Sequence, residues 1–383
     1  MQIEKLIPGG FGLATADDGK KYFFWNALPG ETVIDFELTK NKSSYAEAVA
    51  TKIEKPSINR VEPKDECFLS TSPWQIMNYE YELKEKSLLV QEIFREHGIS
   101  IDTPEIITDG KEYFYRNKME YALYFNHADE KIHLAFHARG SHQKIPITNS
   151  SLERPEIFQK AQKIVDDLNA RHEEARKYQS LLLRCNQASE VSGGLFENHK
   201  PHPIFNNLKD TILGHEYSYS PNGFFQINLP VYELALKEIK KHINTDEVLD
   251  LYSGVGTIGL SVARDRKLTL VEVDKSAYKE LENNSKNHKN ITTILEKSEN
   301  VLNHINNKET VILDPPRAGI DKKLADKLLE ITPPKIIYLS CNPATQARDI
   351  KILLEKYQID LIKTFNFFPH TPHIENLVIL SAK

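Results

Sequence analysis

The chain has 383 residues, 40% of them hydrophobic and 27% charged, with 16 glycines, 19 prolines and a formal net charge of −5. That length exceeds one compact core and predicts two or three domains, and the composition excludes collagen-like, low-complexity and wholly disordered classes. A mildly acidic balance excludes a protein that coats nucleic acid nonspecifically, so any nucleic-acid role must rest on local basic patches. No apolar run reaches the ~18 residues of a membrane-spanning helix, and the opening MQIEKLIPGG lacks a secretory signal's apolar stretch. Cys67, Cys185 and Cys341 lie far apart and fit neither a disulfide framework nor a CxxC-type zinc site. The expectation is a cytoplasmic protein with reduced thiols, no membrane association, no metal and no obligate protein partner.

In chain order, GGFGLATADDGKKYFFW, ETVIDFELTK and YAEAVATKIEKPS space short strands and turns as a small β-barrel over residues 1–60, with a linker near Pro56–Pro63. Residues 61–215 read as a central β-rich domain. It opens with a helix at 78–97 that stops at Gly98 and can pack on the C-terminal domain instead. Strand patterns follow in YFYRNKMEYALYF and KIHLAFHAR, then a helix at 155–178, then β pattern through LLLRCNQASEVSGGLF and HEYSYSPNGFFQIN. In this domain Tyr113, Phe114, Tyr115, Arg116, Asn117 and Lys118 interleave aromatic and basic groups, and Arg139 and His142 extend the set. Such a run suits base stacking and phosphate contact, and equally an ordinary strand with a solvated face.

From about residue 230 the rhythm becomes strand–helix alternation. EVLDLYS, LTLVEVD, TTILEKS, TVILDPP, KIIYLSC, DLIKTFNFF and NLVILSA supply seven strands, with GTIGLSVARD and SAYKELENNSKNH as helices between the early ones. This predicts an α/β domain over 216–383, a doubly wound sheet ending in a hairpin.

The chemistry-bearing residues fall at the ends of these strands. In VLDLYSGVGTIG an apolar strand runs into Gly254, Gly256 and Gly259 at the opening of a helix, so that the backbone can turn tightly and approach a ligand. Glu272, at the end of the next strand, is placed to bind ribose hydroxyls. A nicotinamide dinucleotide and S-adenosylmethionine both present such a ribose, so the turn alone leaves the cofactor open. DPPR puts Asp314 and the stiffened carbonyls around Pro315 and Pro316 at a third strand end, acceptors suited to the N3–H of uracil. Cys341 leaves the fifth strand in SCNP at the same sheet edge, where a thiol faces the crevice as a candidate nucleophile. Glu375 opens the terminal strand beside His370 and His373 as a candidate proton acceptor.

SPNGFFQIN, DLYSGVGTIGL, DPPRAG, SCNP and FPHTPHIE, in that order and spacing, resemble the uridine-C5 RNA methyltransferases that use S-adenosylmethionine. GGFGLA, ALPGE, YAEA and PSINRVEP are similar to the TRAM domain, an RNA-binding barrel. The resemblance implies a Rossmann-like class I methyltransferase domain that makes 5-methyluridine in structured RNA through a cysteine–C6 adduct. It takes 23S ribosomal RNA as the first expectation and transfer RNA as the alternative. It assigns Cys341 as nucleophile and Glu375 as base, and Gln226, Tyr252, Gly254, Gly256, Thr257, Glu272 and Asp314 to the cofactor. Phe225 and Arg317, with Arg116 and Lys118, stand on the substrate side. Thr257 occupies a position where relatives often carry Asn, and Ser253 replaces a usual cysteine. Of the four cysteines that hold an iron–sulfur cluster in many relatives only Cys67 is present, so no cluster is expected. An NAD-dependent oxidoreductase, the remaining alternative, gives no role to DPPR, SCNP or PHIE.

Overall fold

The computed structural model describes residues 1–202 and 205–383. The N-terminal strands β1 (Lys5–Leu6), β2 (Gly12–Thr15), β3 (Lys21–Trp25), β4 (Thr32–Asn41) and β5 (Tyr45–Lys55) form one sheet in the order β1-β2-β3-β5-β4. A bridge between Gln2 and Thr32 brings β4 back towards the N-terminal end and curls the sheet. On β5 every second residue, Ala46, Ala48 and Ala50, points inward, and such small side chains suit a narrow interior.

Next come α1 (Phe68–Thr71), α2 (Tyr79–Glu96), β6 (Glu105–Ile107), β7 (Lys118–Asn126), β8 (Lys131–His137), β9 (Lys144–Pro146), α3 (Pro155–Ala170), β10 (Ser180–Cys185), β11 (Val191–Glu197) and β12 (Lys200–His202). The central sheet has the order β12-β11-β10-β7-β8-β9 and packs its apolar face on α3. The helix expected over 155–178 ends at Ala170, because His172 turns left-handed and only a short 3-10 turn follows at Ala175–Lys177. The hairpin β13 (Leu208–Ile212) and β14 (His215–Tyr219) leads into α4 (Leu229–Lys241). The β pattern expected through FFQIN stops at Tyr219, and the segment beyond it is a loop.

The C-terminal part contains β15 (Glu247–Leu251), α5 (Thr257–Ala263), β16 (Lys267–Glu272), α6 (Lys275–Ser285), β17 (Ile291–Leu295), β18 (Glu309–Leu313), α7 (Lys322–Ile331), β19 (Lys335–Ser340), α8 (Pro343–Leu353), β20 (Tyr357–Phe365) and β21 (Glu375–Ala382). All seven expected strands are present, but the sheet has eight, in the order β17-β16-β15-β18-β19-β21-β20-β6. The eighth, β6, adds parallel to β20 and covers an edge that would otherwise expose unpaired backbone. Helix α2 packs against α8 of this same unit. Helix α2 thus takes the alternative placement on the C-terminal unit, β6 joins it there from the span read as the central domain, and the expected boundary at 216 falls inside β14.

Side-chain alternation divides the core into two layers. Leu249, Leu251, Leu313, Ile336, Tyr338 and Val378 face α2, α7 and α8. Val248, Leu270, Ile312, Ile337, Leu339 and Leu377 face α4 and α5. The barrel touches this unit through Leu6 and Leu28, which join the core layer of α2, through Lys5, which pairs with Glu92, and through a turn where Trp74 Nε1 donates to the carbonyl of Gly10 at 3.0 Å. At Gly10 φ is +95°, and an added Cβ would stand 2.5 Å from Pro372 Cβ in the loop before β21. Gly10→Ala is expected to destabilise the protein by about 1–3 kcal/mol, read as a lower urea midpoint, whereas Gly19→Ala, where a Cβ meets nothing within 4 Å, removes no packing.

Candidate active site

The strand register builds the site. In the parallel part Leu251 pairs with Val271 and with Leu313, so the residues that follow them, Tyr252, Glu272 and Asp314, emerge at one edge. Strand β21 runs antiparallel to β19 with Ser340 opposite Asn376, and one more step sets Cys341 opposite Glu375. Parity completes the arrangement. Glu272, Asp314, Cys341 and Glu375 continue the rows of Leu270, Ile312, Leu339 and Leu377, so all four belong to the face covered by α4 and α5. Open α/β sheets bind ligands at this edge, beyond the carboxyl ends of the parallel strands.

The glycine turn lies above it. Gly254 has φ +58° and a Cβ there would meet nothing within 4 Å, which leaves open space over the backbone. At Gly259 a Cβ would stand 2.5 Å from Leu270 Cδ2 and 2.8 Å from Asp250 Oδ2, so that glycine serves helix-on-strand packing. Glu272 grips the turn, accepting the N–H of Gly254 at 2.7 Å and those of Val273 and Asp274 at 2.8 and 2.6 Å. Thr257, the first residue of α5, accepts a hydrogen bond from Tyr232 Oη at 3.0 Å. Ser253 joins β15 to β16, donating to Asp250 O and accepting from Val271 N. Gln226 is 7% exposed just ahead of α4, its carbonyl held by Asn117 Nδ2 at 3.0 Å.

Two expected positions differ. Tyr252 adopts φ +70°, which turns its ring away from the α4–α5 face and onto the other core layer. There it lines a cavity of about 550 Å³ with Glu299, Pro316, Ile320 and Asp321. Phe225, expected to meet substrate, is 3% exposed and stacks on Tyr219 with ring centroids 3.8 Å apart, while Phe224 beside it is 74% exposed. Sequence reasoning passed over Phe224, and its only signal was adjacency within FFQIN. It also passed over Asp250, buried beneath the glycine turn, which accepts the Gly259 N–H at 2.9 Å and leaves Oδ1 without a partner.

The aromatic and basic run at 113–118 forms a seam between the central sheet and the C-terminal unit rather than an open strand. Tyr113 stacks on His370 at 4.4 Å, and buried Tyr115 donates to Pro369 O at 3.0 Å. Arg116 Nε donates to Lys118 O at 2.8 Å, and Lys118 Nζ caps the carbonyls of Asn222 and Gly223 at 3.1 and 3.3 Å. Two of the three Lys118 ammonium protons are thus taken by the chain itself. Burial brings His373 down to about 4, helped by the positive field of Arg317, Lys86, Arg116 and Arg139. Arg317 is exposed, whereas Arg139 Nε donates to Leu69 O and its guanidinium lies 4.2 Å from the Trp25 ring centroid.

Electrostatically the cleft is rich in acids. Burial lifts Asp314 to about 7 and Asp250 to about 8, and the charges of Asp314 and Glu272 add to the second shift. Glu375, 4% exposed, is raised well above the usual carboxylate range by burial and by Asp314, with Arg317 opposing. Cys341 is pushed up to about 11 by burial, then by Glu375 and Asp314, while the Arg317 guanidinium acts the other way. The pocket by itself therefore favours a neutral thiol, whereas the thiolate is the nucleophilic form. The sign follows for chemical modification: alkylation of Cys341 by iodoacetamide is expected to accelerate as pH rises towards 11. Arg317→Met, by removing a neighbouring cation, is expected to slow it at any fixed pH below that value. Peptide mass spectrometry reads the site, with buried Cys67 and Cys185 as internal controls.

Residues 208–383 match the family model described as tRNA (Uracil-5-)-methyltransferase. An uncharacterized RNA methyltransferase of Enterococcus faecalis is 29% identical, the match covering 100% of this chain and 96% of the relative. One from Fusobacterium nucleatum is 28% identical over 100% and 95%. Among solved structures, the Pyrococcus abyssi tRNA (uracil-54, C5)-methyltransferase in complex with S-adenosyl-L-homocysteine superposes with a TM-score of 0.77, at 24% identity and covering 99% of both chains. That likeness extends the shared fold over the barrel and the central sheet as well. The segment that matches this family model carries Gln226, the glycine turn, Asp314, Cys341 and Glu375.

Proposed function

We propose that the protein methylates C5 of a uridine in structured RNA, with S-adenosylmethionine as methyl donor. The observation that carries this reading is the opposition of Cys341 and Glu375 across β19 and β21, beside a glycine turn with open space above it. The residues present suit the donor. Acids at Asp250, which is fully buried, Glu272 and Asp314 favour a cationic ligand, and Asp250 Oδ1 has no partner of its own. Gln226, Gly254, Gly256, Thr257, Glu272 and Asp314 would hold it, with Tyr252 in the adjoining cavity. Bound there, S-adenosylmethionine supplies an electrophilic methyl group on a positively charged sulfonium.

The chain's own residues supply the rest. Carbon 5 of uracil is a weak nucleophile until a group adds at C6. The Cys341 thiolate, favoured by Arg317 and by an added positive charge, forms a bond to C6 and moves the C5=C6 pair onto C5, from which the new carbon–carbon bond to the methyl would form as the methyl–sulfur bond breaks and its pair stays on sulfur as a neutral thioether. The Glu375 carboxylate then takes the C5 proton. The electron pair of that C–H bond restores C5=C6 as the C6–S bond breaks and releases the thiolate. A carboxyl raised by burial is a stronger base once ionised than an ordinary one, which suits removal of a carbon-bound proton. Asp314 and the carbonyls around Pro315 and Pro316 are acceptors for N3–H. Proximity of thiol, base and donor supplies several kcal/mol of the barrier.

A base inside a stem does not reach these groups, so the uridine is flipped out or already in a loop. Exposed Phe224 offers a stacking face at the mouth, and Arg116, Arg139 and Arg317 offer phosphate contacts. The family description and the Pyrococcus relative favour transfer RNA over the ribosomal RNA expected above. The barrel over residues 1–60 is read as a TRAM-like RNA-binding unit.

Cys341→Ala is expected to keep its affinity for S-adenosylmethionine and to form no 5-methyluridine, and full activity would discard the covalent route. Mass spectrometry of nucleosides from separated transfer and ribosomal RNA, in cells with and without the gene, is expected to show the loss in the transfer RNA fraction. Loss confined to ribosomal RNA would reverse that choice.

A further inference from the structure

We propose that the buried Glu82–Lys86 pair of α2 is a positioning device for Glu375, fixing the loop 366–374 that delivers this carboxylate to the cleft. The proposal rests on Glu375 being the base. Both side chains are 0% exposed and their charged ends lie 2.7 Å apart. Every polar group of the pair is directed at the loop. Lys86 Nζ donates to Asn366 Oδ1 at 2.7 Å and to Phe368 O at 3.0 Å, which with Glu82 uses all three of its protons. Glu82 accepts the backbone N–H of His370 on both oxygens, at 3.0 and 2.9 Å.

Three more groups hold the same stretch. Trp74 N donates to His370 O at 3.1 Å, Tyr115 Oη to Pro369 O at 3.0 Å, and Asn228 Nδ2 to Phe367 O at 3.1 Å. His370 sits at φ +60°, a left-handed conformation that a non-glycine residue keeps only when its surroundings impose it. The loop runs directly into β21, whose first residue is Glu375. A buried ion pair contributes little net stability over an apolar pair of the same size. What it adds is direction, since four charge-assisted hydrogen bonds define one loop conformation where apolar packing allows several. The pair lies outside residues 208–383, so the segment that bears the reacting groups depends on α2 for the placement of one of them.

The test follows formation and release of the covalent enzyme–RNA adduct on denaturing gels in Lys86→Met, Asn366→Ala and Glu375→Gln. Asn366→Ala removes an acceptor of Lys86 and leaves the ion pair whole, so it serves if Lys86→Met fails to fold. In both positioning variants the adduct is expected to form at close to the wild-type rate and to release about 10- to 100-fold more slowly, lowering kcat without changing KM for S-adenosylmethionine. Glu375→Gln is expected to stall at the adduct. If Glu375→Gln stalls while folded Lys86→Met and Asn366→Ala release at the wild-type rate, the positioning role is overturned and the base assignment stands. If Glu375→Gln turns over freely, the base assignment itself falls. Equal losses of adduct formation and release in the two folded variants would mark a general structural role and overturn the proposal.

Discussion

The site depends on one strand pairing. Strand β21 enters antiparallel between β19 and β20, and its first residue reaches the edge that β15, β16, β18 and β19 reach with their last. Without that reversal Glu375 would emerge at the far end of the sheet from Cys341. The side-chain period of two then sets Glu272, Asp314, Cys341 and Glu375 on one face as well as at one edge. A slip of a single residue in β21 would turn Glu375 into the opposite core layer. Strand β21 is buried on both faces, with Leu377 and Ile379 in one layer and Val378 and Leu380 in the other, and the ladders to β19 and β20 on its two sides hold its register.

Burial also decides the charge state. Four carboxyl groups face the turn and the thiol, and Arg317 is the one cation that opposes the shifts at both Cys341 and Glu375. Burial thereby favours the neutral forms of Asp250, Asp314, Glu375 and Cys341. Adding a cationic ligand reverses the preference of each group, since a positive charge stabilises carboxylate and thiolate alike. On the proposed function, reactivity is coupled to occupancy: the Cys341 thiol and the Glu375 carboxyl would gain their ionised forms when a cationic methyl donor is bound.

Much of this was legible in the sequence because the reacting residues follow apolar strands that announce themselves. EVLDL, LTLVE, TVIL, KIIYLS and NLVIL are bounded by Gly, Pro or charged residues, so their ends, and the chemistry at those ends, are readable. Local pattern does not carry long-range partnership. Strand β6 has three residues, EII, and exists because β20 offers it an edge. Glu82 and Lys86 look like the solvated face of a charged helix, YEYELKEKS, until the loop at 366–374 is folded over them. Phe224 and Phe225 are identical side chains in one motif, and which is buried depends on Tyr219 and Arg184 lying beneath the second. Tyr252 departs from its expected face through a left-handed backbone that no residue type in YSG requires.

The central claim is that Cys341 and Glu375 act on the same two carbons of one uracil ring. Its most direct measurement uses RNA carrying 5-fluorouridine at the target position, since a fluorine at C5 does not leave as the proton does. The account predicts a methyl-donor-dependent covalent complex whose peptide mass places the cross-link on Cys341. Release of a methylated product with no trapped complex, or a cross-link on Cys67 or Cys185, would contradict it.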